Sequence, residues 1–113
     1  MNFDYPILSQ PIGALATTEA DSALEIIQKH VRMFQASLDQ KHDVGIMLTN
    51  FGTSVLMEVR EVTASGSRFI IFKGFVNGSY STLIQHVSQL NFLLTAIPKA
   101  EDKPKNVIGF TAN

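Results

Sequence analysis

The chain of 113 residues contains no cysteine, and this absence excludes disulfides, thiolate metal sites, iron–sulfur clusters and cysteine nucleophiles. Long hydrophobic runs are also missing, since stretches such as residues 69–72 fall far short of the roughly 20 residues of a membrane-spanning helix. Neither sign of charge dominates. The net charge of −1 argues against a surface for duplex nucleic acid, which needs clustered Lys and Arg. We therefore expect neither a membrane nor duplex nucleic acid among the partners.

Signals for export are missing as well. Asp4 lies where a signal peptide carries basic residues, and no sufficiently long apolar segment follows it, so we expect a cytoplasmic protein. The composition, with 45% hydrophobic and 17% charged residues, is typical of a globular domain. Proline and glycine occur near both ends. We interpret residues 1–17 and 98–113 as extended arms around a single domain at residues 18–97.

The first regular element is a helix predicted over residues 19–40. Thr18 can cap this helix with its hydroxyl, and Glu19 and Asp21 favour the positive end of the helix dipole. Apolar residues then recur with spacings of 3 and 4 along one stripe. The stripe consists of Leu24, Ile27, Val31, Phe34 and Leu38. Two roles fit it, since such a stripe can pair with a second copy of the chain or cover the protein's own sheet.

Apolar segments after the helix predict four strands. Asn50 and Gly52 predict a turn between the first two, and Asn77-Gly78 predicts a type I′ turn between the last two. In the third strand, the continuous apolar run Phe69–Phe72 predicts burial on both faces. The four strands are predicted over residues 43–50, 53–62, 68–76 and 79–85.

The segment that follows Asn77-Gly78 allows two interpretations. Thr82 and Gln85 could form the capping box of one long helix, whereas the two-residue turn favours a strand over residues 79–85. Under both interpretations a helix covers residues 87–97 and ends before proline 98. The predicted fold class is α+β, with an N-terminal helix, a four-stranded antiparallel meander, a C-terminal helix and extended arms at both ends.

The sequence contains no catalytic or metal-binding motif. The histidines, His30, His42 and His86, lack the spacing of three or four residues that a helical metal site requires. Neither GxxxxGK[ST] nor GxGxxG occurs, so the common phosphate-binding loops are absent. We therefore expect a protein that is not an enzyme and that carries neither a cofactor nor a metal.

Polar side chains cluster around His86, within an otherwise apolar segment. They either complete a buried junction or face a ligand. Arg60 and Arg68 extend the set, because an arginine near aromatic side chains suits a stacked base and its phosphate. The predicted ligand-binding residues are Arg60, Arg68, Gln85, His86, Gln89 and Asn91.

Several segments resemble a known family. They are His42-Asp43-Val44-Gly45-Ile46, Asn50-Phe51-Gly52-Thr53-Ser54, Ile70-Ile71-Phe72-Lys73-Gly74, the segment LIQHVSQLNFLL at residues 83–94, and Ile108-Gly109-Phe110. Together they resemble a family of small bacterial and phage-borne domains of unknown function, over about residues 38–110. The resemblance implies a bacterial or viral origin. It assigns no activity to any residue.

Two functional hypotheses follow from these observations. The first is a non-catalytic homo-oligomer, a dimer or larger, that binds a small anionic or nucleotide-like ligand between its subunits. Phage proteins that sequester a cyclic nucleotide immune signal have a similar shape and size, by analogy only. The alternative is a structural or protein–protein interaction module that docks through the helix stripe and the C-terminal arm.

Overall fold

The computed structural model describes residues 18–48 and 53–113 of the chain. Within these ranges it has one α-helix, six β-strands and a short 3₁₀ turn. The elements are α1 (Glu19–Ala36), β1 (His42–Leu48), β2 (Val55–Ser65), β3 (Phe69–Val76), β4 (Ser79–His86), the 3₁₀ turn (Val87–Gln89), β5 (Phe92–Pro98) and β6 (Gly109–Thr111). The predicted arm at residues 1–17 and the predicted turn at Asn50 and Gly52 lie outside the described residues.

The six strands form one sheet. Its order is β4-β3-β2-β1-β5 with every neighbouring pair antiparallel, and β6 runs parallel to β2. The long strand β2 lies along β3 on one side. On its other side, β2 pairs first with β1 and further along with β6. β2 is therefore the strand that holds the two halves of the sheet together.

Helix α1 begins where the sequence predicts, because the Thr18 hydroxyl accepts a hydrogen bond from the Asp21 N–H at 3.0 Å. It ends at Ala36, before the predicted residue 40. Residues of the apolar stripe, among them Leu24 and Val31, are fully buried in the core beneath the sheet. This part of the stripe therefore covers the protein's own sheet.

The prediction of a four-stranded meander followed by a C-terminal helix is wrong. Residues 92–98 form strand β5, which pairs with β1 along its whole length, from Leu48↔Phe92 to His42↔Pro98. The spacing of Leu90, Leu94 and Ile97 indicates a helix, but pairing with β1 places Leu94 opposite Ile46 and Ile97 opposite Asp43, so Leu94 and Ile97 lie on opposite faces of the sheet. Long-range pairing therefore overrides the local helical periodicity.

The predicted C-terminal extended arm is also corrected. Residues 109–111 form β6, and Ile108 just before it is 1% exposed in the core. At the chain end, the Asn113 N–H and side-chain amide both donate to the buried carboxylate of Asp21, at 3.0 and 3.2 Å. The C-terminal segment is thus part of the sheet and of the core.

The expected burial of the third strand on both faces holds for one face only. Ile70 and Phe72 are fully buried on the inner face of β3. On the outer face Ile71 is half-buried and Phe69 is 43% exposed. No described element covers the outer face of the sheet at this position.

A β-bulge at Arg60 bends the central strand. Val59 pairs with Gly74 and Glu61 pairs with Lys73, so Arg60 is an extra residue in β2. The inward positions change parity across the bulge, from Met57 and Val59 to valine 62 and alanine 64. Gly74 permits this bend because the Glu58 carbonyl occupies the space where a Cβ at residue 74 would lie.

The sheet curls strongly about this bend. Phe72 lies on β3 and Phe92 on β5, three positions apart in the strand order. Their ring centroids are nevertheless only 5.4 Å apart, in an edge-to-face contact. The inner faces of β3 and β5 therefore meet in the core.

Asn106 fills the gap that opens where β1 separates from β2. Its side-chain amide donates to the Val59 carbonyl at 2.8 Å, and its N–H donates to the Asp43 carboxylate at 3.1 Å. Its own side-chain oxygen accepts from Arg60 at 2.7 Å, and its carbonyl accepts from Gln35 of α1 at 3.3 Å. One residue thus connects β1, β2 and α1.

Replacing Gly74 with alanine should strongly destabilise the protein. The new Cβ would overlap the Glu58 carbonyl oxygen and lie 2.9 Å from its carbon, and the backbone can relieve this only by shifting. We expect the free energy of unfolding to fall by about 3 kcal/mol, as for severe overpacking. Gly109→Ala is the matched control, since its Cβ would meet nothing nearer than 3.9 Å. Chemical denaturation that gives equal stability for both variants would contradict the bulge geometry.

Removing the Asn106 side chain should also lower stability. Asn106→Ala leaves the Val59 carbonyl and the Arg60 guanidinium without their partner. The expected loss in the free energy of unfolding is about 2 kcal/mol. Asn91→Ala serves as the control, because the Asn91 side chain is exposed. Urea denaturation should therefore separate the two variants, and an unchanged midpoint for Asn106→Ala would refute the bridging role.

Candidate ligand-binding cleft

An open cavity of about 620 Å³ lies between the end of β4 and the connection to β5. We call it the Gln85 cleft. It is lined by Leu83, Ile84, Gln85, Ser88, Gln89, Leu90 and Asn91. Its volume falls within the range that is typical of small-molecule sites.

A capped turn positions the polar side of the cleft. The His86 Nδ1 accepts from the Ser88 N–H at 3.1 Å and lies 2.9 Å from the Ser88 hydroxyl, which fixes the first residues after β4. The Val87 N–H donates to the Arg68 carbonyl at 2.8 Å, so pairing with β3 continues one residue beyond β4. Leu90 then packs against the core. These contacts place Ser88 and its neighbours opposite the last residues of β4.

Gln85 is the most unusual residue of the cleft. It faces inward from β4, directly opposite Ile70, and is only 5% exposed. No residue of the described ranges donates a hydrogen bond to its side-chain oxygen. A buried polar atom without a partner costs about 1–3 kcal/mol, and in a native protein it calls for a physical reason. A small rotation of the Gln85 amide toward the cleft would expose this oxygen to a hydrogen-bond donor of a ligand.

The lining is polar but uncharged. It carries three side-chain amides, those of Gln85, Gln89 and Asn91, together with the Ser88 hydroxyl. Each amide offers both donors and an acceptor, and Leu83 supplies an apolar wall. Such a lining matches a flat heterocycle or another neutral group that has donors and acceptors on one edge.

The structure brings three of the predicted binding residues together. Gln85, Gln89 and Asn91 all line the Gln85 cleft. His86 does not, because successive residues of a strand point to opposite faces. Its ring lies on the outer face against Phe69, with centroids 5.3 Å apart in an edge-to-face contact.

The two predicted arginines lie elsewhere. Arg68 faces Glu19 at the start of α1, with the nearest nitrogen and oxygen 3.8 Å apart and both side chains mostly exposed. Arg60 is bound to Asn106, and its guanidinium lies 5.4 Å from the ring centroid of Phe75. Neither arginine lines the Gln85 cleft.

Sequence reasoning omitted some lining residues. Ser88 and Leu83 line the cleft but are not among the predicted ligand-binding residues. The period-2 alternation of β4 places Leu83 and Gln85 on the same face. That alternation is the signal that could have identified this wall of the cleft.

A metal site is absent from residues 18–48 and 53–113. No three His, Cys, Asp or Glu side chains within these ranges gather as metal ligands. Asp39 has a lowered pKa, because His42 forms a hydrogen bond with its carboxylate and the Lys41 N–H donates to it. The Asp39 and His42 side chains are largely accessible to solvent, and neither lines the Gln85 cleft. The helix described here is not long and apolar enough to cross a membrane.

Comparison with known proteins identifies a family. A family model described as a family of unknown function (DUF6173) matches residues 16–111, which is nearly the whole chain. This agrees with the resemblance to a family of uncharacterised domains. No curated protein and no solved structure matches the sequence.

Replacing Gln85 with leucine should stabilise the protein in the absence of ligand. The substitution removes the buried unpaired oxygen and places an apolar side chain of comparable volume at this buried position. We expect the free energy of unfolding to rise by about 1 kcal/mol. Gln89→Leu is the matched control, since Gln89 is exposed and should show no gain. Thermal denaturation measures both variants, and a clear loss of stability in Gln85→Leu would show that its amide is satisfied within the fold.

Proposed function

The chain belongs to the DUF6173 family, which is described only as a family of unknown function, and we propose that this protein is a non-catalytic binding protein for a small nucleotide-like ligand. The ligand occupies the Gln85 cleft. The observation that carries the proposal is the buried side-chain oxygen of Gln85, which has no partner within the described residues. A site that keeps an unpaired polar group sacrifices stability, as binding sites commonly do.

The chemistry of the lining supports binding rather than catalysis. The described residues that line the cleft offer amides, one hydroxyl and apolar side chains, but no acid, base or cation. Amides recognise the edges of nucleobases well, because they form paired hydrogen bonds with neighbouring donors and acceptors. The proposed ligand is therefore held chiefly by its base.

This arrangement changes the role expected for the phosphate. With Arg60 and Arg68 outside the cleft, a phosphate would extend toward solvent and contribute little to affinity. A nucleoside should then bind nearly as tightly as its nucleotide. The negative charge of the ligand then contributes less to the affinity than its base does.

The biological setting proposed for this activity is a bacterial cytoplasm, with the protein encoded by the bacterium or a phage. A protein that binds a nucleotide without converting it acts by sequestering or sensing it. Sequestration of a cyclic nucleotide immune signal is the form of this function that we propose to test first. Such a signal presents the same base edges as a linear nucleotide.

Binding should be measured by isothermal titration calorimetry with nucleosides, linear nucleotides and cyclic nucleotides. We expect at least one base to bind, with similar affinities for its nucleoside and its nucleotides. Gln85→Leu removes a hydrogen bond and should weaken that binding roughly tenfold, the equivalent of about 1.4 kcal/mol. Asn91→Ala should weaken it in the same direction.

Arg68→Ala is the matched control for this titration. Its side chain is 63% exposed and lies outside the cleft, so affinity should not change. A large loss of affinity in Arg68→Ala, or no binding of any compound in the panel, would contradict the proposed site.

A second candidate function is the protein interaction module. Ile26 and Met33 of α1 are 59% and 58% exposed, and this is the observation that favours it. Deleting residues 104–113 would not test it, because the deletion would also remove β6 and Asn106 from the fold. The suitable variant is the double substitution Ile26→Ser/Met33→Ser. Loss of binding to a partner protein, together with an unchanged melting temperature, would support this candidate.

A further inference from the structure

The edge of the sheet at β4 has unpaired backbone groups. Among residues 18–48 and 53–113, β4 has β3 as its one neighbour in the sheet. The Val87–Arg68 hydrogen bond belongs to the same ladder, one pair beyond the end of β4, so the odd-numbered residues of β4 bond to β3. The even-numbered residues Tyr80, Thr82 and Ile84 therefore direct their N–H and C=O groups away from β3. No backbone group in the described ranges pairs with them there.

This edge also lacks the features that usually prevent strands from pairing. Strand β4 contains no lysine, arginine, acid or proline, and its pairing with β3 has no bulge. The opposite edge differs. The Lys99 N–H donates to the Lys41 carbonyl, so the preceding Pro98 takes an outward-facing position in β5, where it cannot donate a hydrogen bond. Of the two end strands β4 and β5, β4 is thus the one without a proline or a charged side chain at an outward-facing position.

The side chains of β4 are complementary to a second copy of the same strand. Tyr80 and Ile84 lie at equal distances before and after Thr82 and share its face. Tyr80 is 63% exposed and Ile84 is 62% exposed. An antiparallel copy centred on Thr82 would place each of these large apolar side chains opposite the other.

We propose that two copies of the chain pair antiparallel through β4, with the two-fold axis at Thr82. Tyr80 of each copy lies opposite Ile84 of the other, and the three outward-facing residues exchange about six backbone hydrogen bonds. The aromatic–aliphatic pairs add cross-strand packing on the outer face. The two sheets become one continuous sheet. This dimer forms without a ligand and does not depend on the function proposed for the Gln85 cleft.

The test is the molar mass in solution over a dilution series, measured by light scattering on the full chain without ligand. The wild-type protein should be a dimer that dissociates on dilution. Ile84→Lys should be a monomer, because it removes the apolar contact and places a charge at the edge. Leu93→Lys is the matched control: Leu93 is 59% exposed on β5, the opposite edge strand, and its variant should remain a dimer.

Two double variants test the register. In Tyr80→Lys/Ile84→Glu the proposed pairing places each lysine opposite a glutamate, so the dimer should persist. In Tyr80→Lys/Ile84→Lys it places lysine opposite lysine, so the protein should be a monomer. Circular dichroism establishes that each variant is folded. A monomeric wild-type protein at every concentration, a dimer of Ile84→Lys, or the same mass for both double variants would overturn the proposal.

Discussion

The structure depends on the bend of β2 at Arg60. The bulge turns the strand, and Gly74 on β3 allows the Glu58 carbonyl to approach at that point. Because the first half of β2 pairs with β1 and the second half with β6, the bend also determines where β1 separates from β2. Asn106 fills the resulting gap with hydrogen bonds to both strands and to α1. The bend of β2, the separation of β1 from β2 and the C-terminal segment that contains Asn106 are therefore mutually dependent.

The bend also explains why the cleft exists. The last residues of β4 lie level with the end of β2, with β3 between the two strands. The first residues of β5 lie level with the start of β2, with β1 between the two strands. In a flat sheet these points would be about 30 Å apart along the strand direction, whereas the connection at residues 87–91 can span at most about 20 Å. Only a curled sheet lets the chain pass directly from one edge strand to the other. The Gln85 cleft lies where that short connection faces β4.

The sequence predicts the elements whose signals are local. Thr18 caps the helix, and Asn77-Gly78 forms a turn in which both residues have positive φ. It does not predict β5, because the strand is formed by pairing with β1 while its own periodicity resembles a helix. Three cleft residues, Gln85, Gln89 and Asn91, can be predicted because they belong to one polar cluster in the sequence. Arg60 and Arg68 are predicted as ligand-binding residues from their side-chain chemistry alone. No local sequence pattern indicates that Arg68 faces Glu19.

The proposed function and the proposed dimer use adjacent parts of β4. The inward-facing Gln85 lines the cleft, whereas the backbone groups of Ile84 and its even-numbered neighbours are directed toward the open edge of the sheet. The central claim is that the amides of the cleft bind a base. The most direct measurement is the NMR spectrum of the side-chain amide groups during titration with nucleosides. We expect the signals of Gln85 and Gln89 to shift while that of Asn106 stays unchanged, and a titration that leaves the Gln85 signal unmoved would contradict the account.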